Sequence, residues 1–136
     1  MIMAAKYLLD TNICIHLLRN RKEVVRAIEN VGWSNCFISE MTVVELFYGA
    51  ECSNDVEQNR ALVQSLLNDI GIVPLFDCIQ EYCRQKARLR SLGQLIEDFD
   101  LFIGSTAVAM KYILVTENIK HLSRLTNIHL ENWVER

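Results

Sequence analysis

Short apolar runs alternate with longer amphipathic ones along the whole chain, and that alternation limits the fold more than any other feature. "KYLL", "CFIS", "GIVPL" and "YILV" are continuous apolar runs of strand length, and "IHLEN" is a weaker one. Between them lie patterns of helical period. Leu62, Val63, Leu66, Leu67 and Ile70 form one stripe, and Ile79, Tyr82, Cys83, Leu89 and Leu92 form a second. Strands that alternate with helices pair in parallel through right-handed crossovers. The expectation is an α/β fold with a central parallel sheet of four to five strands flanked by helices. With one proline and five glycines, no linker divides the chain. Residues 1–136 read as a single domain, with Pro74 near the end of its strand.

Ligands of an open parallel sheet gather beyond the carboxyl ends of its strands. In "KYLLDTNICI", Asp10 stands at that edge, between a buried strand and a buried helix. It either caps the helix or holds something cationic. In "TVVELFYGA", Glu45 lies in a helix that is apolar on nearly every side. It either closes a capping box with Thr42 or, in the first turn after the second strand, faces the same crevice. "IEDFDLFIGSTAVAMKY" adds Asp98 and Asp100 ahead of a helix of small and apolar residues. Residues two apart point to different faces, so Asp98 reads as the N-cap and Asp100 as the site acid, with Asp98 in reserve. "LVTEN" brings Thr116 and Asn118 to another strand end, where Asn118 orients a water or caps "IKHL". Asn118, Asp98, Thr116 and Asn12 are the auxiliary candidates. Carboxylates converging in one crevice repel one another and hold protons unless a cation neutralises them. An all-oxygen set suits Mg2+ or Mn2+ rather than zinc, and such ions activate water and stabilise charge on phosphoryl groups.

Other chemistries find little support. The five cysteines (Cys14, Cys36, Cys52, Cys78 and Cys83) show neither C-x-x-C nor zinc spacing, and read as reduced core thiols of a cytoplasmic protein. His16, His121 and His129 are scattered, and no phosphate-binding glycine loop is present. No run is long enough to span a membrane. A formal net charge of −3 argues against a broad basic footprint. Basic residues do cluster in "RNRK" and "RQKARLR", the second on two helix faces.

"LLDTNICI", "TVVELFYGA", "DFDLFIGSTAVA" and "LVTENIKHL", ending in "LENW", resemble the PIN-domain ribonucleases, specifically VapC-type toxins of bacterial toxin–antitoxin pairs. The resemblance spans essentially the whole chain, with the motifs in family order. It maps Asp10, Glu45 and Asp100 onto the first three family acids, as catalytic and metal-binding residues. The fourth acidic position falls on Asn118, which leaves the number of metal ions open. It implies a Mg2+-dependent endoribonuclease acting on structured RNA, commonly transfer or ribosomal RNA. It also implies a toxin dimer and neutralisation by a cognate VapB-type antitoxin. The first two helices and the fourth offer more apolar positions than one sheet face needs. Leu17, Leu18, Val25, Ile28, Leu62 and Leu66 are the expected groove for an amphipathic antitoxin helix. Two rivals are a PIN-like scaffold without turnover and a receiver-type Mg2+-binding signalling domain. A receiver would need an acidic pair after its first strand and a lysine after its last inner strand, and neither is evident.

Overall fold

In the computed structural model, which describes residues 4–136, all five apolar runs are strands of one sheet. They are β1 (Tyr7–Leu9), β2 (Cys36–Ser39), β3 (Gly71–Val73), β4 (Ile113–Val115) and β5 (Leu130–Glu131). Every pairing is parallel and the order is β3-β2-β1-β4-β5. The chain moves outward from β1 to β3, then crosses back to lay β4 on the other side of β1. The direction of winding therefore reverses between β1 and β4, which leaves a crevice at their carboxyl ends.

Strand alternation divides the apolar residues between two cores. Leu9, Ile38 and Val115 face α1 (Thr11–Leu18), α2 (Lys22–Val31), α3 (Glu40–Glu51) and α4 (Val56–Asp69). Leu8, Val73 and Leu114 face α5 (Ile79–Ser91), α6 (Asp98–Met110) and α7 (Ile119–Leu122). Neighbouring residues of a strand point to opposite faces, so both must be apolar when both faces are covered. That is why the strands read as unbroken apolar runs. Pro74 directly follows β3 and opens a 3-10 turn over Leu75–Cys78.

Four local expectations are corrected. α3 begins earlier than the capping box implied: Ser39, the last residue of β2, is the N-cap, its Oγ accepting from the Met41 amide at 3.0 Å. Thr42 is thus inside the helix, and Glu45 sits in the second turn rather than the first. Glu97, not Asp98, occupies the cap position of α6, and its side chain caps nothing. The second apolar stripe does not face the core as a whole. Ile79, Cys83 and Leu92 are exposed, and the residues α5 buries are Gln85 and Leu89. Gln85 escapes an apolar pattern because its amide is fully used: it donates to the Thr126 carbonyl and accepts from the Thr126 amide, both at 3.0 Å. Finally, Cys14, Cys36 and Cys78 are buried thiols, but Cys52 and Cys83 are exposed. Among the described residues, no helix is long and apolar enough to cross a membrane.

Candidate active site

Asp10 begins where β1 ends. Its amide donates to the Val115 carbonyl at 2.9 Å, which fixes it against β4 at the crevice. The residue is only 3% exposed. Its carboxylate accepts from the Thr11 amide (2.8 Å), the Thr116 hydroxyl (2.7 Å) and the Asn12 amide group (3.3 Å). It occupies the N-cap position of α1, the first of its two expected roles, but a cap needs only one of those donors. Burial pushes its pKa up, the bonds from Thr116 and Thr11 pull it back, and the charge of Glu45 raises it further.

Glu45 reaches the same crevice from α3. Its Oε1 accepts from the Thr11 hydroxyl at 2.6 Å. A hydroxyl has one proton, so the 3.1 Å contact between Thr11 and Thr42 uses Thr42 as donor. Asp100 enters from the first turn of α6, with Asn118 Nδ2 donating to its Oδ2 at 3.3 Å. Burial raises the pKa of both acids. Asp100 and Glu97 add to the effect at Glu45, while Asp10 and Glu97 add to it at Asp100, against the opposing charge of His121. Asp10, Glu45 and Asp100 therefore share one field, and no cation is ion-paired with any of them among the described residues.

The auxiliary candidates divide. Thr116 and Asn12 support Asp10, Thr116 also accepting from the Asn118 amide at 2.9 Å and Asn12 from the Glu117 amide at 3.3 Å. Asn118 supports Asp100 with its side chain and caps α7 with none. Asp98 turns away: Lys86 and the Tyr82 hydroxyl each bind its Oδ1 at 2.8 Å, and hold its pKa below the usual carboxylate range. The fourth acid of the field is Glu97, which the sequence reading passed over. Glu97 at the cap position stands three residues ahead of Asp100 in the first turn, and that spacing was available in "EDFD". Glu117 also follows β4, yet it is drawn aside by His16 (2.5 Å) and Arg136.

A hard divalent cation fits the chemistry of this donor set: oxygen only, partly desolvated, mutually repelling, and without an ion-paired cation among the described residues. Among the described residues, no three His, Cys, Asp or Glu side chains already stand as a closed metal site. A surface cleft of about 1000 Å3 contains none of these acids; Tyr112 and His129 place it at the opposite edge of the sheet, before β4 and β5.

The expected apolar groove is smaller and differently lined. A cleft of about 270 Å3 between α1, α3 and α4 is bordered by Ile15, Leu18, Leu46, Gly49, Leu62 and Val63, and it reaches Glu45. Leu18 and Leu62 are in it. Leu17, Ile28 and Leu66 are buried in the core, and Val25 packs on that core from α2, because these faces of α1, α2 and α4 turn toward the sheet. Several cations of the basic runs are engaged locally. Arg21 is engaged by Glu23, Arg84 by Glu81, Lys86 by Asp98, and Arg88 by the Arg124 carbonyl.

Comparisons with known proteins agree with this fold. The PIN domain pattern matches residues 7–127. A tRNA(fMet)-specific endonuclease VapC from Shigella flexneri is 32% identical over 129 residues, covering 94% of this chain and 98% of the relative. Ribonuclease VapC2 from Rickettsia felis is 34% identical over 130 residues, covering 93% and 97%. Among solved structures, VapBC2 from Rickettsia felis bound to a promoter DNA fragment matches with a TM-score of 0.87 at 33% identity, covering 94% of this chain and 98% of that one. DNA-bound VapBC from Salmonella typhimurium matches with a TM-score of 0.89 at 30% identity, covering 96% and 99%.

Proposed function

The chain belongs to the PIN-domain family, and from that premise we propose that it is a VapC-type toxin, a divalent-metal-dependent endoribonuclease neutralised by a VapB-type antitoxin. The receiver reading falls with the family assignment. The observation that carries the proposal is the shared, uncompensated field of Asp10, Glu45, Asp100 and Glu97 at the point where the sheet reverses its winding.

Asp10, Asp100 and Glu45 are the residues that would hold the cation, Mg2+ with Mn2+ as a substitute. Such an ion supplies charge neutralisation at the phosphate and activation of water. The rest is done by the chain. Thr11 and Thr116 keep the carboxylate of Asp10 turned into the crevice, and Thr11 fixes one oxygen of Glu45 so that the other is left to bind or to orient water. Asn118 steadies Asp100. The substrate is structured RNA, transfer RNA foremost, since one relative is named for that activity. Residues 1–136 act as one cytoplasmic domain, and the exposed side chains of Tyr48 and Phe76 are available to a homodimer contact.

Cleavage of bulk transfer RNA by the purified chain tests the reading. Activity should need Mg2+ or Mn2+ and vanish on chelation, with zinc a poor substitute. Changes to the outer supports of a metal commonly cost ten- to a hundredfold, so Asp10→Asn and Asp100→Asn should each lower the rate by more than about a hundredfold. Robust cleavage after exhaustive chelation, or by Asp100→Asn, would refute the assignment.

A further inference from the structure

Asp100 borders a second recess. A cleft of about 570 Å3 opens between the α5–α6 connection and α7, lined by Leu95, Ile96, Glu97, Asp100, His121 and Arg124. The chemistry proposed above uses one wall of it. The opposite wall is cationic.

Arg124 is braced rather than free. Its Nη1 donates to the carbonyls of Gln94 (3.3 Å) and Leu95 (3.5 Å), and its own carbonyl accepts from Arg88. Among the described residues, Nε and Nη2 have no partner and no carboxylate pairs with the guanidinium, although Glu97 shares the cleft. His121 is oriented as well. Asn118 Nδ2 donates to Asp100, so its amide oxygen is left to accept, and His121 Nδ1, 2.9 Å away, is the donor. The ring is thereby fixed beside Asp100. Leu95, 46% exposed, and Ile96 supply an apolar bed. A pre-set guanidinium with open donors matches a phosphate, and an apolar surface beside it matches a base.

We propose that this cleft is the subsite for the nucleotide next to the scissile phosphate, with Arg124 gripping its phosphate, His121 beside it, and Leu95 and Ile96 under its base. The proposal rests on the ribonuclease reading. A single RNA strand alternates phosphate and base, as the cleft alternates cation and apolar surface. A partner's tail that reaches the acids has to be basic, and Arg124 repels it.

The test pairs steady-state cleavage of bulk transfer RNA with binding of a fluorescein-labelled single-stranded oligoribonucleotide by the Asp10→Asn chain across a KCl series. Arg124→Gln should raise KM about tenfold with kcat changed less than about twofold, the pattern of lost uniform binding. It should also reduce the slope of log affinity against log salt by about 0.7, one phosphate contact on a single strand. Arg124→Lys should recover part of the affinity, having the charge without the fork. Arg26→Gln on the outer surface of α2 serves as the neutral control. Because Arg124 also ties two carbonyls, Leu95→Asp provides a second variant that leaves those ties in place. It should raise KM likewise, while thermal melting confirms that both variants are folded. Unchanged KM and salt slope in both overturn the subsite and leave the nuclease reading standing. Weakened antitoxin capture with RNA binding intact overturns it too, giving the cleft to the protein partner. A wild-type chain that neither binds nor cleaves RNA overturns the subsite together with the reading beneath it.

Discussion

At the scale of single residues, Asp10 carries opposing loads. Burial favours its neutral form, while the donors from Thr11 and Thr116 favour the carboxylate. Burial prevails, and at Glu45 and Asp100 it acts in the same direction. A carboxylic acid whose pKa is raised on folding binds its proton more tightly in the folded than in the unfolded chain. Its contribution to stability is complete below the ordinary carboxylate value, about 4, and is lost as pH rises through the raised value. The metal-free protein should therefore melt at falling temperature as pH climbs above about 4 through the raised values. Asp98 and Glu117, whose pKa values are lowered by Lys86 and by His16 with Arg136, act in the opposite sense, below about pH 4 and outside that window. Asp10→Asn keeps an acceptor for Thr116 and removes the charge, so its melting curve should flatten with pH and lie above wild type at neutral pH. Calorimetry at matched ionic strength checks both. A wild-type melting temperature that rises with pH would contradict the account of the acid field.

At the scale of elements, the strands are short, and close packing between neighbours substitutes for length. β3 pairs with β2 through Gly71 opposite Phe37. A methyl group at Gly71 would come within 2.5 Å of Phe37 Cδ1, and the ring cannot swing away freely because it lies 4.9 Å from Tyr112. Gly71→Ala should destabilise the fold by about 1–3 kcal/mol, the usual range for overpacking. Gly49 in α3 is the counter-example. It is exposed inside a helix and has nothing within 4 Å of where a Cβ would stand. Gly49→Ala should stabilise by about 0.5–1 kcal/mol by restricting the unfolded chain and favouring the helix. Urea denaturation of both variants tests the contrast, and equal destabilisation would show that the close approach of Gly71 to Phe37 does not govern this pair of strands.

At the scale of the whole molecule, the apolar cleft between α1, α3 and α4 leads to Glu45, so one partner can cover a hydrophobic surface and reach the acid field. Burying apolar area gives such a complex its strength, and a basic side chain against the acids would give it inhibition. If a VapB-type antitoxin is encoded beside this chain, it should co-purify with it, restore growth on co-expression and suppress RNA cleavage. Leu62→Glu places a charge in the cleft at an already exposed position. It should weaken capture by at least about tenfold without lowering the melting temperature, since a desolvated unpaired charge is costly at an interface. Capture unaffected by Leu62→Glu would move the antitoxin to another face, and failure to co-purify would remove the toxin–antitoxin reading while leaving the nuclease reading intact.

Local pattern was enough for the strands and for the location of three acids at one crevice, because a strand covered on both faces must be apolar throughout and a carboxylate at its carboxyl end has few structural reasons to be there. "KYLL" followed by Asp10 contains both signals within a few residues. Side-chain direction at helix starts was not legible in the same way. Asp98 and Glu97 differ by one residue, yet Lys86 and Tyr82 hold the first away while the second joins the field of Glu45 and Asp100. Gln85 interrupts an apolar stripe because Thr126, 41 residues on, satisfies its amide. Leu17, Ile28 and Leu66 look like Leu18 and Leu62 in sequence, and only the packing of α1, α2 and α4 on the sheet separates core from cleft. Periodicity records that a residue is apolar or charged and which helix face it shares. Which neighbour meets that face is decided by contacts between segments far apart in the chain, and those are a property of the assembled sheet and its two layers.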